Sequence, residues 1–253
     1  MILWLLLLAL QYDPNLHPKF AEATRLLQQQ KFTEAIALLE PLTRDKPQIG
    51  DYWFALGIAH AAAGNLNASI EPLRMACAAQ QRPPRSCYQY GRVLQMSKRY
   101  EESVAAFLAA GKNGEDSQLL SAKAQSYEVL GKLPEADQAY RGALAESALR
   151  PKNSADIQYR YGEFLIRQKK FEASLWQLNQ VLSKQPFFGP AWSGKGRVLM
   201  LLDRNADAAD AIEQAIAHGE RNRENLLLLG RLYALLGDDT KAEIYRQEAA
   251  PPE

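Results

Sequence analysis

Five glycines of this chain fall in one register. Sliding the 253-residue sequence along itself aligns Gly57, Gly91, Gly162, Gly196 and Gly230, with Ala23 and Ala124 in the same column, at steps of 34, 34, 33, 38, 34 and 34 residues. A period of this length means a stack of small supersecondary units, because one such unit cannot bury an apolar face by itself and must lean on its neighbours. Length and a hydrophobic content of 47% would allow one or two closed cores. Periodicity decides against them.

Between Gly57 and Gly91 the apolar and small residues recur at three and four, which is helical spacing, and the pattern breaks at Gly64-Asn65 and at Arg82-Pro83-Pro84. Each unit therefore reads as helix, turn, helix, turn. A second column of small residues, Ala35, Ser69, Ser103, Ala136, Ser174, Ala208 and Ala242, is predicted to face the glycine column and let the two helices of a unit approach closely.

The residues that hold this register are specific. Trp53, Leu56 and Gly57, followed by His60, Ser69 and Leu73, resemble the tetratricopeptide repeat pattern W-x2-L-G-x2-Y, then A-x3-F, then P, with His60, Ser69 and Leu73 replacing the usual Tyr, Ala and Phe. In that phase seven units begin near Leu16, Gly50, Pro84, Ser117, Ala155, Gly189 and Arg223. The resemblance implies an all-α fold, an α-α superhelical solenoid of about seven helix-turn-helix repeats over residues 12–253, behind an apolar leader at 1–11. Unit four carries four extra residues near Glu146 to Asn153, which either lengthen its second helix or form a loop and make the best candidate hinge. Phase resumes at once with Tyr161-Gly162, so no domain boundary is expected there.

Residues 2–10 contain no polar side chain. A helix of that length is about 14 Å long, too short for a bilayer core. It suits the apolar region of a signal peptide, although no Lys or Arg precedes it and no clear small-x-small cleavage site follows before Gln11 and Tyr12. The expectation is an exported, periplasmic or envelope-associated protein whose mature chain starts near Gln11 to Asp13. The alternative is a cytoplasmic adaptor whose apolar first turn packs on the first repeat.

Thirty basic and 29 acidic side chains give a formal charge of +1, which offers no general attraction to nucleic acid or anionic lipid. Membrane contact is expected only through an uncleaved leader. The three histidines, His17, His60 and His218, fall in different repeats without a second ligand at metal-binding spacing. No phosphate loop, dinucleotide fingerprint or nucleophile elbow occurs; Gly194-Lys195-Gly196 lies inside a predicted helix. No catalytic residue, metal or cofactor is therefore expected, and an accessory module of an enzyme system is the least supported reading.

In tetratricopeptide proteins the first helices line a concave groove that grips peptides. Five residues into the units stand Phe20, Phe54, Tyr88, Ser121, Tyr159, Ser193 and Leu227; nine residues in stand Arg92, Arg197 and Arg231, with Arg160 beside Tyr159. The resemblance thus implies a partner-binding set of Phe54, Tyr88, Arg92, Tyr159, Arg160, Arg197 and Arg231. Aromatic and Arg side chains dominate interfaces, and this set suits a peptide or protein segment with apolar anchors and acidic groups. Against that, Glu163 shares the Arg197 column one repeat earlier and is placed to pair with it, and the aromatics can instead wedge between helices. The Lys and Asn set with which chaperone-binding members hold a terminal carboxylate is not reproduced: Thr24 and Ala55 stand at the Asn positions. Cys77, late in one second helix, and Cys87, early in the next first helix, lie on elements that adjoin in this architecture. They form either a disulfide or two small buried thiols, according to compartment. The leading expectation is a non-catalytic interaction scaffold in envelope or secretion complex assembly.

Overall fold

The computed structural model describes residues 17–111, 116–149 and 154–250. The leader and the start of the first unit lie outside them. Fourteen helices and no strand occur among the described residues: α1 (Pro18–Gln28), α2 (Phe32–Asp45), α3 (Gly50–Ala62), α4 (Leu66–Ala78), α5 (Ser86–Met96), α6 (Tyr100–Gly111), α7 (Ser117–Val129), α8 (Leu133–Leu149), α9 (Ser154–Arg167), α10 (Phe171–Lys184), α11 (Gly189–Leu201), α12 (Asn205–Ala217), α13 (Arg223–Leu235) and α14 (Asp239–Glu248). The odd-numbered helices start within two residues of the unit starts read from sequence. Of the surplus in unit four, residues up to Leu149 extend α8 to 17 residues, and the remainder falls outside the described residues.

The chain forms two compact units, one up to Ala139 and one from Tyr140. In the first, α1 to α7 each pack on the next, and α1 also meets α3 while α5 meets α7. In the second, α9 to α14 do the same, with α9 meeting α11. First helices of successive repeats thus meet at α1 and α3, α5 and α7, and α9 and α11. The first core includes Leu27, Leu39, Tyr52, Leu73, Leu94 and Phe107; the second includes Ile157, Phe164, Leu165, Leu178, Ile212 and Leu229, all fully or almost fully buried. Burying each such side chain contributes roughly 1.5 to 3 kcal/mol.

All seven hairpins turn in the same way. The fifteenth residue of each unit is left-handed: Gln30, Gly64, Lys98, Gly131, Lys169, Asp203 and Gly237 have φ between 57° and 83°. The next residue's N–H then reaches back five residues, as in Lys31 to Leu26, Arg99 to Leu94 and Arg204 to Leu199, satisfying a carbonyl at the helix end.

The glycine column works differently from the expectation. A Cβ added at Gly57 would sit 2.5 Å from Leu73 Cγ, one at Gly91 2.5 Å from Phe107 Cε1, and one at Gly196 2.5 Å from Ile212 Cδ1. The bulk that each glycine admits is the large residue four positions after the small column. The small residues admit backbone instead: Ser174 Oγ donates to Gly162 O at 2.9 Å, and Ala208 O lies 3.2 Å from where a Gly196 Cβ would be.

The Trp and Pro columns are one device. Trp53 Nε1 donates to Pro47 O at 2.8 Å, and Trp192 Nε1 to Pro186 O at 2.7 Å, tying a first helix to the link before it. In unit three the Trp column holds Cys87. That residue forms a disulfide with Cys77, Cα atoms 4.6 Å apart, and so ties α5 to α4 by a covalent bond.

Candidate partner-binding faces

A first helix carries one stripe made by residues five, nine and thirteen of the unit, since a step of four keeps a side chain on one helical face. In unit three the stripe is Tyr88, Arg92 and Met96 on α5. In unit six it is Ser193, Arg197 and Leu201 on α11, and in unit seven Leu227, Arg231 and Leu235 on α13. Met96 is 55% exposed, Leu201 46%, Leu227 43% and Leu235 57%.

The residues expected at this face divide into three groups. Phe54 is a correction: it is fully buried, packed with Ile58, Leu73, Ala76 and Val93, so it holds α3 to α4 and α5 and reaches no partner. Tyr88 and Arg92 are half-buried, one turn apart. The Tyr88 ring packs against Phe107 at 5.9 Å and carries the Arg85 guanidinium 4.6 Å from its centroid. Arg92 and the exposed Arg231 make no hydrogen bond or ion pair with any described residue.

The third group is tied up internally. Tyr159 meets Phe188 edge-on at 5.3 Å, and burial, with Glu163 close by, pushes its phenol above the usual tyrosine range. Arg160 donates to Asp156 at 2.9 Å. Arg197 Nη2 donates to Glu163 Oε1 at 2.7 Å, and Arg167 lies 3.9 Å from the other carboxylate oxygen. Gly194 leaves the space for that pair, since a Cβ there would come within 2.9 Å of Glu163 Oε1. Arg197 Nε is buried without an acceptor.

The exposed Met96, Leu201 and Leu235 belong to the same stripe and are not among the residues expected from sequence. Their signal is the thirteenth column of the repeat, which also holds Val129, 59% exposed. Among the described residues no group of three His, Cys, Asp or Glu side chains is gathered as a metal would need, and no helix is long and apolar enough to cross a membrane. His60 is half-buried, with Nδ1 lacking a partner.

Comparison with known proteins agrees with this geometry. A tetratricopeptide repeat protein from Parabacteroides merdae superposes with a TM-score of 0.69 at 14% identity, covering 91% of this chain and 90% of that one. The C-terminal part of a repeat-containing protein of the same class from Cytophaga hutchinsonii gives 0.74 at 14% identity, with 92% and 96% covered. YrrB, described as a tetratricopeptide protein with an unusual peptide-binding site, gives 0.60 at 15% identity over 74% of this chain and 95% of its own. No curated protein matches the chain. These likenesses establish the fold, and proteins built on it are typically non-catalytic interaction scaffolds. The tetratricopeptide repeat family model matches residues 20–86, 121–187 and 193–253, most of the chain, and the chain belongs to that family.

Proposed function

We propose that this chain is a non-catalytic scaffold that holds a peptide or protein segment against its first-helix faces, in the assembly of a cell-envelope or secretion complex outside the cytoplasm. The observation that carries the proposal is the recurring stripe, in which an arginine stands one turn from exposed Met or Leu side chains on α5, α11 and α13. On α5 and α13 that arginine has no partner among the described residues. An unpaired guanidinium beside apolar surface gains most from a segment that brings both a carboxylate and apolar side chains. The disulfide between Cys77 and Cys87 supports an oxidising compartment. YrrB's peptide-binding site supports a peptide as the ligand class.

Affinity capture from separated envelope and cytosolic extracts tests the proposal. The expected result is a protein enriched from the envelope extract by the wild-type chain and lost when Met96→Ser and Leu235→Ser are combined. Equal capture by both chains would remove the stripe from the reading. Enrichment from cytosol alone would remove the envelope setting.

A further inference from the structure

A cleft of about 360 Å³ opens at the start of α5, lined by Arg82, Pro83, Arg85, Ser86, Tyr88 and Leu119 among others. It gathers donors, some of which meet no acceptor among the described residues. Arg85, the residue before the helix, is left-handed with φ 63° and supplies no side-chain cap. By contrast, α7 and α13 are capped by Asp116 and Asn222, each accepting from the helix backbone. At α5 the Ser86 N–H donates to Pro83 O and the Gln89 N–H to Arg85 O. The Cys87 and Tyr88 amides between them donate to no described residue. Such orphan N–H groups, at the positive end of the helix dipole, favour an anion.

Two further observations point to a ligand. Ser86 is 1% exposed, and its Oγ has no hydrogen-bond partner. Arg82 is half-buried and pairs with no carboxylate among the described residues, where its Nη1 donates to Cys87 Sγ at 3.1 Å and Ala109 O at 3.2 Å. Arg85 Nη2 donates to Gln118 Oε1 at 2.7 Å, which fixes the second guanidinium at the cleft. The acid in the lining, Asp116, already accepts from Leu119 N at 2.7 Å and lies 4.0 Å from Arg85. Among the described residues of the lining, two cations face one anion and leave a single positive charge, which matches a carboxylate better than a doubly charged phosphate.

We infer that this cleft receives an acidic side chain, Asp or Glu, of a segment lying along Tyr88, Arg92 and Met96, and so confers a preference for acidic sequences. The inference rests on the reading of that stripe as a partner-binding face. The disulfide, by tying α4 to α5, holds the cleft's back wall in place.

The test uses small probes on the full oxidised chain, so it does not depend on any captured partner. The probes are N-acetylglutamic acid α-amide, its glutamine counterpart, N-acetylleucine with a free terminal carboxylate, and inorganic phosphate, each followed by the amide resonances of Cys87 and Tyr88. The acidic side-chain probe should shift both resonances saturably and bind at least about tenfold more tightly than the glutamine probe, the margin expected for hydrogen bonds to a charged group. Arg82→Gln and Ser86→Ala should each weaken it about fivefold or more. Ser86→Ala should leave the melting temperature unchanged, since the hydroxyl makes no bond to lose. Absence of a saturable shift would overturn the inference, as would tighter binding of phosphate or of the terminal carboxylate. If the probes fail while capture through the stripe succeeds, the cleft alone is wrong; the converse removes the scaffold and the segment along the stripe, and overturns the inference as stated while leaving an anion site at the cleft.

Discussion

Units three and six start from the same pattern and are completed in opposite ways. In unit six, Trp192 closes the link through the Pro186 carbonyl, and Arg197 on the first-helix face is paired with Glu163. In unit three, Cys87 replaces the Trp and closes the link through a disulfide, and Arg92 in the Arg197 column has no partner among the described residues. The indole tie gives the Pro186 carbonyl its hydrogen bond. The disulfide ties α5 to α4 without one, and beside it the Cys87 and Tyr88 N–H groups and Ser86 Oγ meet no acceptor among the described residues. A covalent tie in one unit and a hydrogen-bonded tie in the other thus hold the same link.

The largest effect that would sharpen this contrast is on stability. Trp192→Ala removes packing and leaves Pro186 O without its donor, and should cost about 3 kcal/mol. Because repeats contact mainly their neighbours, hydrogen exchange should loosen α10 to α12 first. Uniform loosening of both compact units would break the modular reading. Replacing Cys77 and Cys87 together by alanine should cost about 2 kcal/mol, the lower range for a disulfide because the loop it closes is short. Its mark should be faster exchange in α4 and α5, and a stability equal to that of the wild type would deny the disulfide its role as a substitute for the Trp tie. Smallest are the hairpin turns. Lys98→Gly in unit three and Asp203→Gly in unit six relieve a left-handed residue with a Cβ, and each should raise stability by up to about 1 kcal/mol in a denaturant titration. Equal gains are expected, because this is the part the two units share.

What the sequence makes legible is a different part that the repeats share. The small-residue columns and the phase of the units depend on steric approach within a hairpin, which every repeat must solve alike, so the signal accumulates along the chain. The turn itself was hidden: only Gly64, Gly131 and Gly237 of the seven left-handed positions are glycine, and Gln30, Lys98, Lys169 and Asp203 give no local cue. Column position also failed to separate surface from core at Phe54, because its ring is closed in by Leu73 and Ala76 of its own second helix together with Val93 of the next unit, and the last contact is one that no single repeat encodes. The pairing of Glu163 with Arg197 was readable, as both stand in one column of adjacent repeats. Met96, Leu201 and Leu235 look like any core residue until the face of the helix is known. The unspent donors at Ser86 and Arg82 were invisible for a related reason, since an unmade hydrogen bond leaves no trace in a sequence.

The measurement that bears most directly on the central claim compares Arg92→Ala and Arg231→Ala with Arg197→Ala in titrations of the captured partner, with helix content monitored throughout. The account predicts a loss of about thirtyfold, roughly 2 kcal/mol, for at least one of the two unpaired arginines, and less than about threefold for Arg197, whose charge is already spent on Glu163. Wild-type affinity in both Arg92→Ala and Arg231→Ala would contradict it.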